Sequence, residues 1–421
     1  MTLSVGRVDH GDCGKRQSET PDGRPGCMQP TVDGARFRER FEAFNEIGAT
    51  ERGGVDRPSL SPANRETRDC LVEWFRTAGL DVTVDEMGNL FGRRAGADDS
   101  LPPVLVGSHV DSQYNGGRYD GVVGVLGALE VVEALDDAGV ETERPIEVVA
   151  WSNEEGVRFQ PDMLGSGVFA GVFDLDYAYA REDRDGNRFG DELERIGYRG
   201  DAPCEPRDLH CYLELHVEQG PYLEERGADV GVVTGIVGLS WGEVTFRGEA
   251  NHSGATPMHH RSDAMVAAAD LITQVRRIPN LLGERTVGTV GSVSVEPDSI
   301  NVVPGTAKMT YGFRDPDAAV LDQAESHVAR EASVAGEREG VDVTRRDRAR
   351  TDPVRFDDRC VDAVSAATEV AAGGVATASW DEDALADAAS EGFSTATGVA
   401  DLLAMHGVPF RRAHEVVATA A

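Results

Sequence analysis

The sequence predicts an α/β protein with an inserted α+β domain. Short apolar runs at 104–107 and 146–151 are typical of buried strands, and a helical pattern at 122–137 lies between them and ends near Gly139. A strand, a helix and a strand in this order indicate an α/β domain. From about residue 236, alternating strands punctuated by Pro and Gly replace this rhythm, which indicates the insertion.

The elements predicted along the 421 residues follow this plan. Residues 1–30 are expected to be a disordered leader, because they hold few apolar residues and no periodicity. Apolar spacing of three and four residues predicts helices from about 31, at 62–79, at 262–277 and at 357–371. The expected domains are the first domain at 31–235, the insertion at 236–345, a return to the first domain at 346–376 and a helical tail at 377–421.

Acidic residues dominate the composition. The chain has 74 acidic and 41 basic residues, a net charge of −33, and only two lysines, Lys15 and Lys308. Such a charge repels nucleic acid and anionic membranes at ordinary salt and is largely screened at molar salt. We therefore expect a cytoplasmic protein of a high-salt organism, with an ordinary acidic protein as the alternative.

Cysteine usage and hydropathy agree with a reducing cytoplasm. The six cysteines form no CxxC pair, so neither a zinc ribbon nor a disulfide framework is predicted. No apolar run approaches the roughly 20 residues that cross a bilayer. The N-terminus also lacks the pattern of a signal peptide.

Four motifs carry candidate metal ligands, each at the end of a predicted strand: GSHVD at 107–111, GGRYDG at 116–121, WSNEEG at 151–156 and ELHVEQG at 214–220. Open α/β sheets place their chemistry at that edge. His109 offers an imidazole nitrogen, and Asp111 is expected to accept the other ring N–H. Asp120 lies in a glycine-dense turn that lets its carboxylate approach an ion and bridge two of them.

The adjacent pair Glu154 and Glu155 can divide the work of a hydrolase. One carboxylate can bind a metal while the other acts as a general base toward a water whose pKa the metal lowers. His216 follows an alternating strand and supplies a second nitrogen. Alone, each of these residues is more often structural or solvent-exposed; together they favour a binuclear metal hydrolase.

These segments resemble the M20 metallopeptidase-like family, in particular its hydantoinase/carbamoylase amidase branch, over about 31–370. The resemblance implies a catalytic domain with a central mixed sheet flanked by helices and an inserted lid and dimerisation domain. It also implies two divalent ions, with Zn²⁺, Mn²⁺, Co²⁺ or Ni²⁺ suited to the donors. One ion would be held by His109, Asp120 and His216 and the other by Asp120, Glu155 and a further histidine, with Glu154 as the general base.

The inserted domain adds to the resemblance through EANHSGATPMHHRSDA at 249–264. His252 is similar to the lid histidine that stabilises an oxyanion. Asn301 and Arg314 match positions that hold the substrate carboxylate, with Gln219 lining the pocket. Singly, these residues are also consistent with a capping cluster, a turn and a surface arginine. The resemblance further implies a homodimer, since lid residues of this family can come from the neighbouring subunit.

The C-terminal 45 residues depart from the family pattern. The expected Gly-Ala-Gly-His-Asp-like segment and the Ser-His ligand loop are absent, and GFSTATGVADLL and GVPFRRAHEVV resemble the end of argininosuccinate lyases. A gene fusion, recombination or frameshift would explain this exchange. It would leave the second ion with Asp120 and Glu155 unless His406 or His414 substitutes.

The leading hypothesis is an amidohydrolase that cleaves the carbamoyl or ureido C–N bond of an N-carbamoyl-L-amino acid, β-ureidopropionate or allantoate. The alternative is an impaired remnant that acts at most as a dimeric metal-binding protein. Retention of the four motifs favours the enzyme, and the altered tail favours the remnant. Lyase chemistry is disfavoured because the catalytic core of a lyase is absent.

Overall fold

The computed structural model describes residues 30–375. The predicted leader up to residue 29 and the predicted lyase-like tail at 377–421 lie outside this part. Contacts divide the described residues into two units, 30–233 with 358–375 as the first and 234–357 as the second. The sequence had placed these boundaries at 236 and 345.

The helices of the described residues lie close to the predicted ranges. Asp33 and Ser61 cap the first two, because their side chains accept hydrogen bonds from backbone N–H groups of the first turn. The helices are α1 Gly34–Glu46, α2 Pro62–Thr77, α3 Val122–Asp137, α4 Leu164–Phe169, α5 Leu175–Tyr179, α6 Phe189–Ile196, α7 Tyr222–Arg226, α8 Ala264–Leu282, α9 Ala318–Glu339 and α10 Asp358–Val375.

The strands include both apolar runs identified in the sequence. In chain order they are β1 Asp81–Val84, β2 Leu90–Arg94, β3 Val104–His109, β4 Ile146–Trp151, β5 Cys211–Leu213, β6 Gly235–Ile236, β7 Gly238–Arg247, β8 Asn251–His252, β9 Val287–Glu296, β10 Val302–Val303, β11 Thr306–Asp315, β12 Asp342–Thr351 and β13 Val354–Arg355.

The first unit is built on a five-stranded mixed sheet of order β1-β2-β4-β3-β5. β1, β2 and β4 pair antiparallel, whereas β3 is parallel to both β4 and β5. β3 and β4 are almost fully buried, as expected for strands covered on both faces. This mixed sheet with its helices confirms the predicted fold class.

Two apolar cores cover the sheet. One contains Phe41 and Phe44 of α1, Phe75 of α2 and residues of α3. The other contains Phe189 of α6, Trp151 and residues of α4. The sheet is therefore enclosed on two sides, and only its edges and strand ends are available for polar chemistry.

The second unit is an antiparallel sheet of order β12-β7-β11-β9 with α8 and α9 packed on one face. β12 pairs with β7 along its length, from Asp342 opposite Arg247 to Thr351 opposite Leu239. This long-range pairing keeps residues 346–351 in the second unit, where the sequence had predicted a return to the first. Two short ladders, β8 with β10 and β6 with β13, complete the unit.

Within residues 30–375, none of the helices combines the length and the apolar character that a membrane span requires.

Candidate metal centre

The carboxyl ends of β3, β4 and β5 meet at one edge of the first sheet, because the three strands are parallel. His109 is the last residue of β3 and is paired with Trp151, the last residue of β4. His216 lies three residues beyond the end of β5. The strand pairing thus brings two of the predicted ligands to a common edge.

Asp120 reaches the same edge from the turn that precedes α3, and not from a strand end as the sequence had suggested. Gly121 follows it with φ +68°, in the left-handed region. A Cβ on Gly121 would lie 2.5 Å from the His109 carbonyl oxygen and 2.6 Å from two carbons of the His109 ring. The absence of a side chain at 121 is therefore what lets the turn approach His109.

His109, Asp120 and His216 form a cluster in which one ligand atom from each lies within 4.8 Å of the others. Asp120 Oδ1 lies 3.1 Å from His216 Nε2 and 3.8 Å from His109 Nε2. Two imidazole nitrogens and a carboxylate oxygen suit a divalent transition metal such as Zn²⁺. The donor set therefore fits the metal that the sequence predicts.

Glu154 lies beside this cluster, with its Oε2 3.4 Å from His109 Nε2. The preceding residue, Asn153, has a left-handed backbone (φ 54°), and its side chain donates to the carbonyls of Phe159 and Pro161. Burial raises the pKa of Glu154 to about 7, and the neighbouring carboxylates add to this shift while His109 opposes it. A carboxyl with such a pKa can both accept and return a proton near neutrality.

Asp111 supports the site differently from the expectation. His109 Nδ1 is 3.0 Å from the backbone carbonyl of Asp111 and 3.8 Å from its carboxylate. The carboxylate instead accepts hydrogen bonds from the backbone N–H groups of Glu154 (3.3 Å) and Glu155 (3.2 Å). Asp111 therefore orients the histidine through its main chain and the glutamate loop through its side chain.

Glu155 lies outside the three-residue cluster. Its carboxylate accepts hydrogen bonds from the side chain of Gln113 (2.8 Å) and from the Gln113 backbone N–H (3.2 Å). Burial raises the pKa of Glu155, and the hydrogen bond from Gln113 lowers it. Gln113 was not identified from the sequence, because its contact with Glu155 spans 42 residues and no local sequence pattern indicates it.

A second group that the sequence did not identify ties the strands together beneath the site. Glu214 accepts hydrogen bonds from the Ser108 hydroxyl (2.6 Å) and the Tyr212 hydroxyl (2.7 Å). Ser108 precedes His109, and Glu214 precedes His216 by two residues. The position of Glu214 inside the motif ELHVEQG could have indicated a role in the site. Its partner Ser108 on β3 is known only from the fold.

Gln219 donates a hydrogen bond to the other carboxylate oxygen of Asp120, Oδ2, at 2.8 Å. The hydrogen bond to Asp120 raises the pKa of His216 to about 9. Burial opposes the raised pKa of His109, but the surrounding carboxylates outweigh it. Negative charge at this edge therefore favours a cation, which is a proton on His216 when no metal is bound.

The other predicted residues lie in the second unit. His252 is on β8, exposed, and its Nδ1 accepts hydrogen bonds from the backbone N–H groups of Gly254 (3.1 Å) and Ala255 (3.2 Å). The Asn301 carbonyl accepts from the N–H of Ser253 at 2.9 Å. Arg314 is exposed on β11, opposite Leu239. The structure thus brings His252 and Asn301 together and places Arg314 elsewhere in the unit.

An enclosed mixed sheet with a His–Asp–His cluster and a half-buried glutamate at its carboxyl edge defines a metallohydrolase-like class of protein. Comparison with known proteins narrows this class. The sequence profile of peptidase family M20/M25/M40 matches residues 105–409. The chain therefore belongs to this family, as a hydantoinase/carbamoylase-type amidase.

Relatives of known activity and solved structure agree with this assignment. An N-carbamoyl-L-amino-acid amidohydrolase of Rhizobium meliloti is 43% identical over 338 residues, which are 80% of this chain and 81% of the relative. Allantoate amidohydrolase of Escherichia coli is 38% identical over 291 residues, 68% of this chain and 71% of the relative. A crystal structure of a hydantoinase/carbamoylase-family amidase from Burkholderia multivorans shares 47% identity with a TM-score of 0.76, over 81% of this chain and 83% of that one. The chain is a hydrolase that acts on C–N bonds other than peptide bonds.

Proposed function

We propose that this protein hydrolyses the carbamoyl or ureido C–N bond of an N-carbamoyl-L-amino acid, or of a related ureido acid such as allantoate or β-ureidopropionate. The observation that carries the proposal is Glu154 beside the His109–Asp120–His216 cluster. Its carboxyl would exchange a proton next to a metal held by that cluster. Relatives that are N-carbamoyl-L-amino-acid and allantoate amidohydrolases support the ureido substrate.

Two divalent ions, Zn²⁺ or Mn²⁺ with Co²⁺ or Ni²⁺ as alternatives, would be the cofactors. His109, Asp120 and His216 would hold the first, and Asp120 with Glu155 would contribute to a second, weaker site. Bound there, the metal would polarise the substrate carbonyl and lower the pKa of water. The chain supplies a general base in Glu154, whose pKa of about 7 suits removal of a proton from water and its return to the leaving nitrogen.

His252 would stabilise the negative charge that develops on the carbonyl oxygen. Because its Nδ1 accepts two backbone N–H groups, the neutral ring carries its proton on Nε2. The side chain is exposed, so this N–H is available as a donor. An imidazole donor fixed in this way is suited to an oxyanion.

Arg314 would bind the substrate carboxylate, with Asn301 and Gln219 as further polar contacts. Eight residues of β7, or ~27 Å of strand, separate Leu239, the partner of Arg314, from Arg247. His252 lies beyond Arg247 along the chain. His252 and Asn301 therefore follow the end of the β7–β11 ladder that is remote from Arg314. The resemblance to a family whose lid residues can come from the neighbouring subunit supports a homodimer in which these two residues would act in the site of a second copy.

The charge of −33 with two lysines supports a cytoplasmic enzyme of a high-salt organism. The second candidate function is an impaired, dimeric metal-binding remnant. It is favoured by the binding of Glu155 to Gln113 and not to the cluster. The predicted exchange of residues 377–421 for a lyase-like tail would remove a ligand of the second ion and would point the same way, although the family profile matches as far as residue 409.

Ammonia release from a panel of ureido acids tests the proposal. The full chain in multimolar KCl with added Zn²⁺ or Mn²⁺ is assayed with N-carbamoyl-L-amino acids, β-ureidopropionate and allantoate. If the protein is the proposed amidohydrolase, we expect ammonia release from at least one of these compounds. Metal binding without ammonia from any of them would leave the remnant as the better description.

A further inference from the structure

The open face of the second sheet carries an apolar patch around Arg314. Side chains alternate between the two faces of a strand, and Tyr311 and Phe313 of β11 point into the core beneath the helices. Arg314 therefore points to the opposite face. The residues paired with it or diagonal to it share this face and are Leu239, Trp241 and Val287, which with Arg314 form the Arg314 patch.

Trp241 is the largest member of the Arg314 patch and is 46% exposed; Val287 is 48% exposed. Trp241 lies directly opposite Gly312. A Cβ on Gly312 would be 2.6 Å from Cδ1 of Trp241 and 3.0 Å from its Nε1. The indole therefore leans over Gly312 toward β11, and Arg314 is its diagonal neighbour, at the ~7–8 Å that aromatic and long side chains can bridge.

Among residues 30–367, whose side chains the structure describes, the guanidinium of Arg314 has no hydrogen bond or ion pair to another side chain. Glu243, the acid that β7 presents on the same face, is already bound by Lys308 (2.8 Å) and by Arg348. Arg314 is thus a free cation next to exposed apolar surface. A cation beside an apolar surface matches a ligand with a carboxylate and an apolar group on adjacent atoms, as in an α-amino acid derivative.

We infer that Trp241 determines substrate specificity by receiving the side chain of the N-carbamoyl amino acid whose carboxylate Arg314 binds. This inference rests on the role of Arg314 in the proposed function. Leu239 and Val287 extend the same apolar surface on the two flanking strands. The substrates that fit are N-carbamoyl amino acids with large apolar side chains, in preference to N-carbamoylglycine, β-ureidopropionate and allantoate, which leave the indole uncovered.

Equilibrium binding separates this inference from the chemistry. Calorimetric titrations of the full chain in multimolar KCl, with metal removed by a chelator so that no ligand is hydrolysed, use N-carbamoylglycine, N-carbamoyl-L-leucine and N-carbamoyl-L-phenylalanine. Ammonia is measured on the same preparation after Zn²⁺ or Mn²⁺ is restored. We expect affinity to rise by at least about tenfold from glycine to phenylalanine. Trp241→Ala should abolish the rise, and Trp241→Phe should retain most of it.

Two further variants make the test specific. Arg314→Gln should weaken all three ligands by a similar factor, because each carries the carboxylate. Leu281→Ala removes an exposed apolar side chain from α8, on the helix side of the unit, and should change nothing. Thermal unfolding of each variant shows that the fold is retained.

The inference is overturned if Trp241→Ala keeps the full rise in affinity, if the wild-type chain does not distinguish the ligands, or if it binds none of them. A rise that depends on Trp241 without ammonia release would leave the inference standing and contradict the proposed function. Ammonia release at equal efficiency from all three substrates would support the proposed function and contradict the inference about Trp241.

Discussion

Asp120 Oδ1 lies 3.1 Å from Nε2 of His216, and this contact joins a turn before α3 to the chain beyond β5. Two segments about 100 residues apart thus meet at a single oxygen–nitrogen pair. The same two atoms would have to face a metal, so a proton and a metal compete for the histidine.

Metal affinity should therefore rise with pH. His216 has a pKa of about 9 in the metal-free protein because of Asp120, so below pH 9 a metal must displace its proton. Each pH unit below that value should change the apparent affinity by about tenfold for one proton. Calorimetry with Zn²⁺ between pH 6.5 and 8.5 measures this. A flat profile would contradict it, and His210→Asn, at an exposed histidine, should leave the slope unchanged.

Glu154→Gln should abolish turnover while leaving the metal in place. The amide keeps the size of the side chain but cannot accept the proton, so kcat should fall by ~10²–10⁴. Metal content by elemental analysis and ammonia release are measured on the same preparation. Glu141→Gln, at an exposed glutamate between α3 and β4, is the control; loss of metal in Glu154→Gln would assign it a ligand role instead.

Gly121→Ala should damage the metal centre more than the fold. Its φ of +68° strains any side chain, and the new Cβ would collide with the His109 ring and carbonyl. Gly139→Ala is the matched control, since its φ is +63° but nothing lies within 4 Å of the added Cβ. Both should lose ~1–2 kcal/mol to backbone strain, measured by chemical denaturation.

Only Gly121→Ala should also lose metal affinity. Equal metal affinity in the two alanine variants would show that the close approach to His109 does not matter for the site.

Ser108→Ala should weaken metal binding through Glu214. The Ser108 hydroxyl is fully buried and donates to Glu214 at 2.6 Å, which ties the end of β3 to the segment that bears His216. Loss of such a supporting hydrogen bond commonly costs ~10–100-fold in metal affinity. Ser326→Ala on α9 is the control. An unchanged Zn²⁺ affinity in Ser108→Ala would remove Glu214 from the support of the site.

The clustering of His109, Asp120 and His216 could be predicted because each residue lies where a strand ends or a helix begins. Apolar runs locate those points, and parallel strands end at a shared edge. His109, Asp120 and His216 therefore came from local patterns. Asp111 shows what local patterns cannot predict. The sequence placed Asp111 beside His109, but the path of the chain after β3 decides whether its backbone carbonyl or its carboxylate faces the His109 ring.

Contacts between distant segments could not be predicted in this way. Gln113 binds Glu155, and Ser108 binds Glu214 across 106 residues, without any periodic signal in the sequence. The end of the second unit was misplaced for the same reason, because β12 belongs to it through pairing with β7. All the proposed roles stay predictions: the metal ligands, the general base Glu154, and the substrate-contacting residues Gln219, His252, Asn301 and Arg314.

The most direct test of the account is ammonia release by one preparation before and after metal removal. The chain is dialysed against a chelator in multimolar KCl, assayed with N-carbamoyl-L-leucine and N-carbamoyl-L-phenylalanine, and assayed again after Zn²⁺ or Mn²⁺ is restored. The account predicts no ammonia without metal and recovery with it. Ammonia at the same rate in both states, or full metal binding with no ammonia, would contradict it.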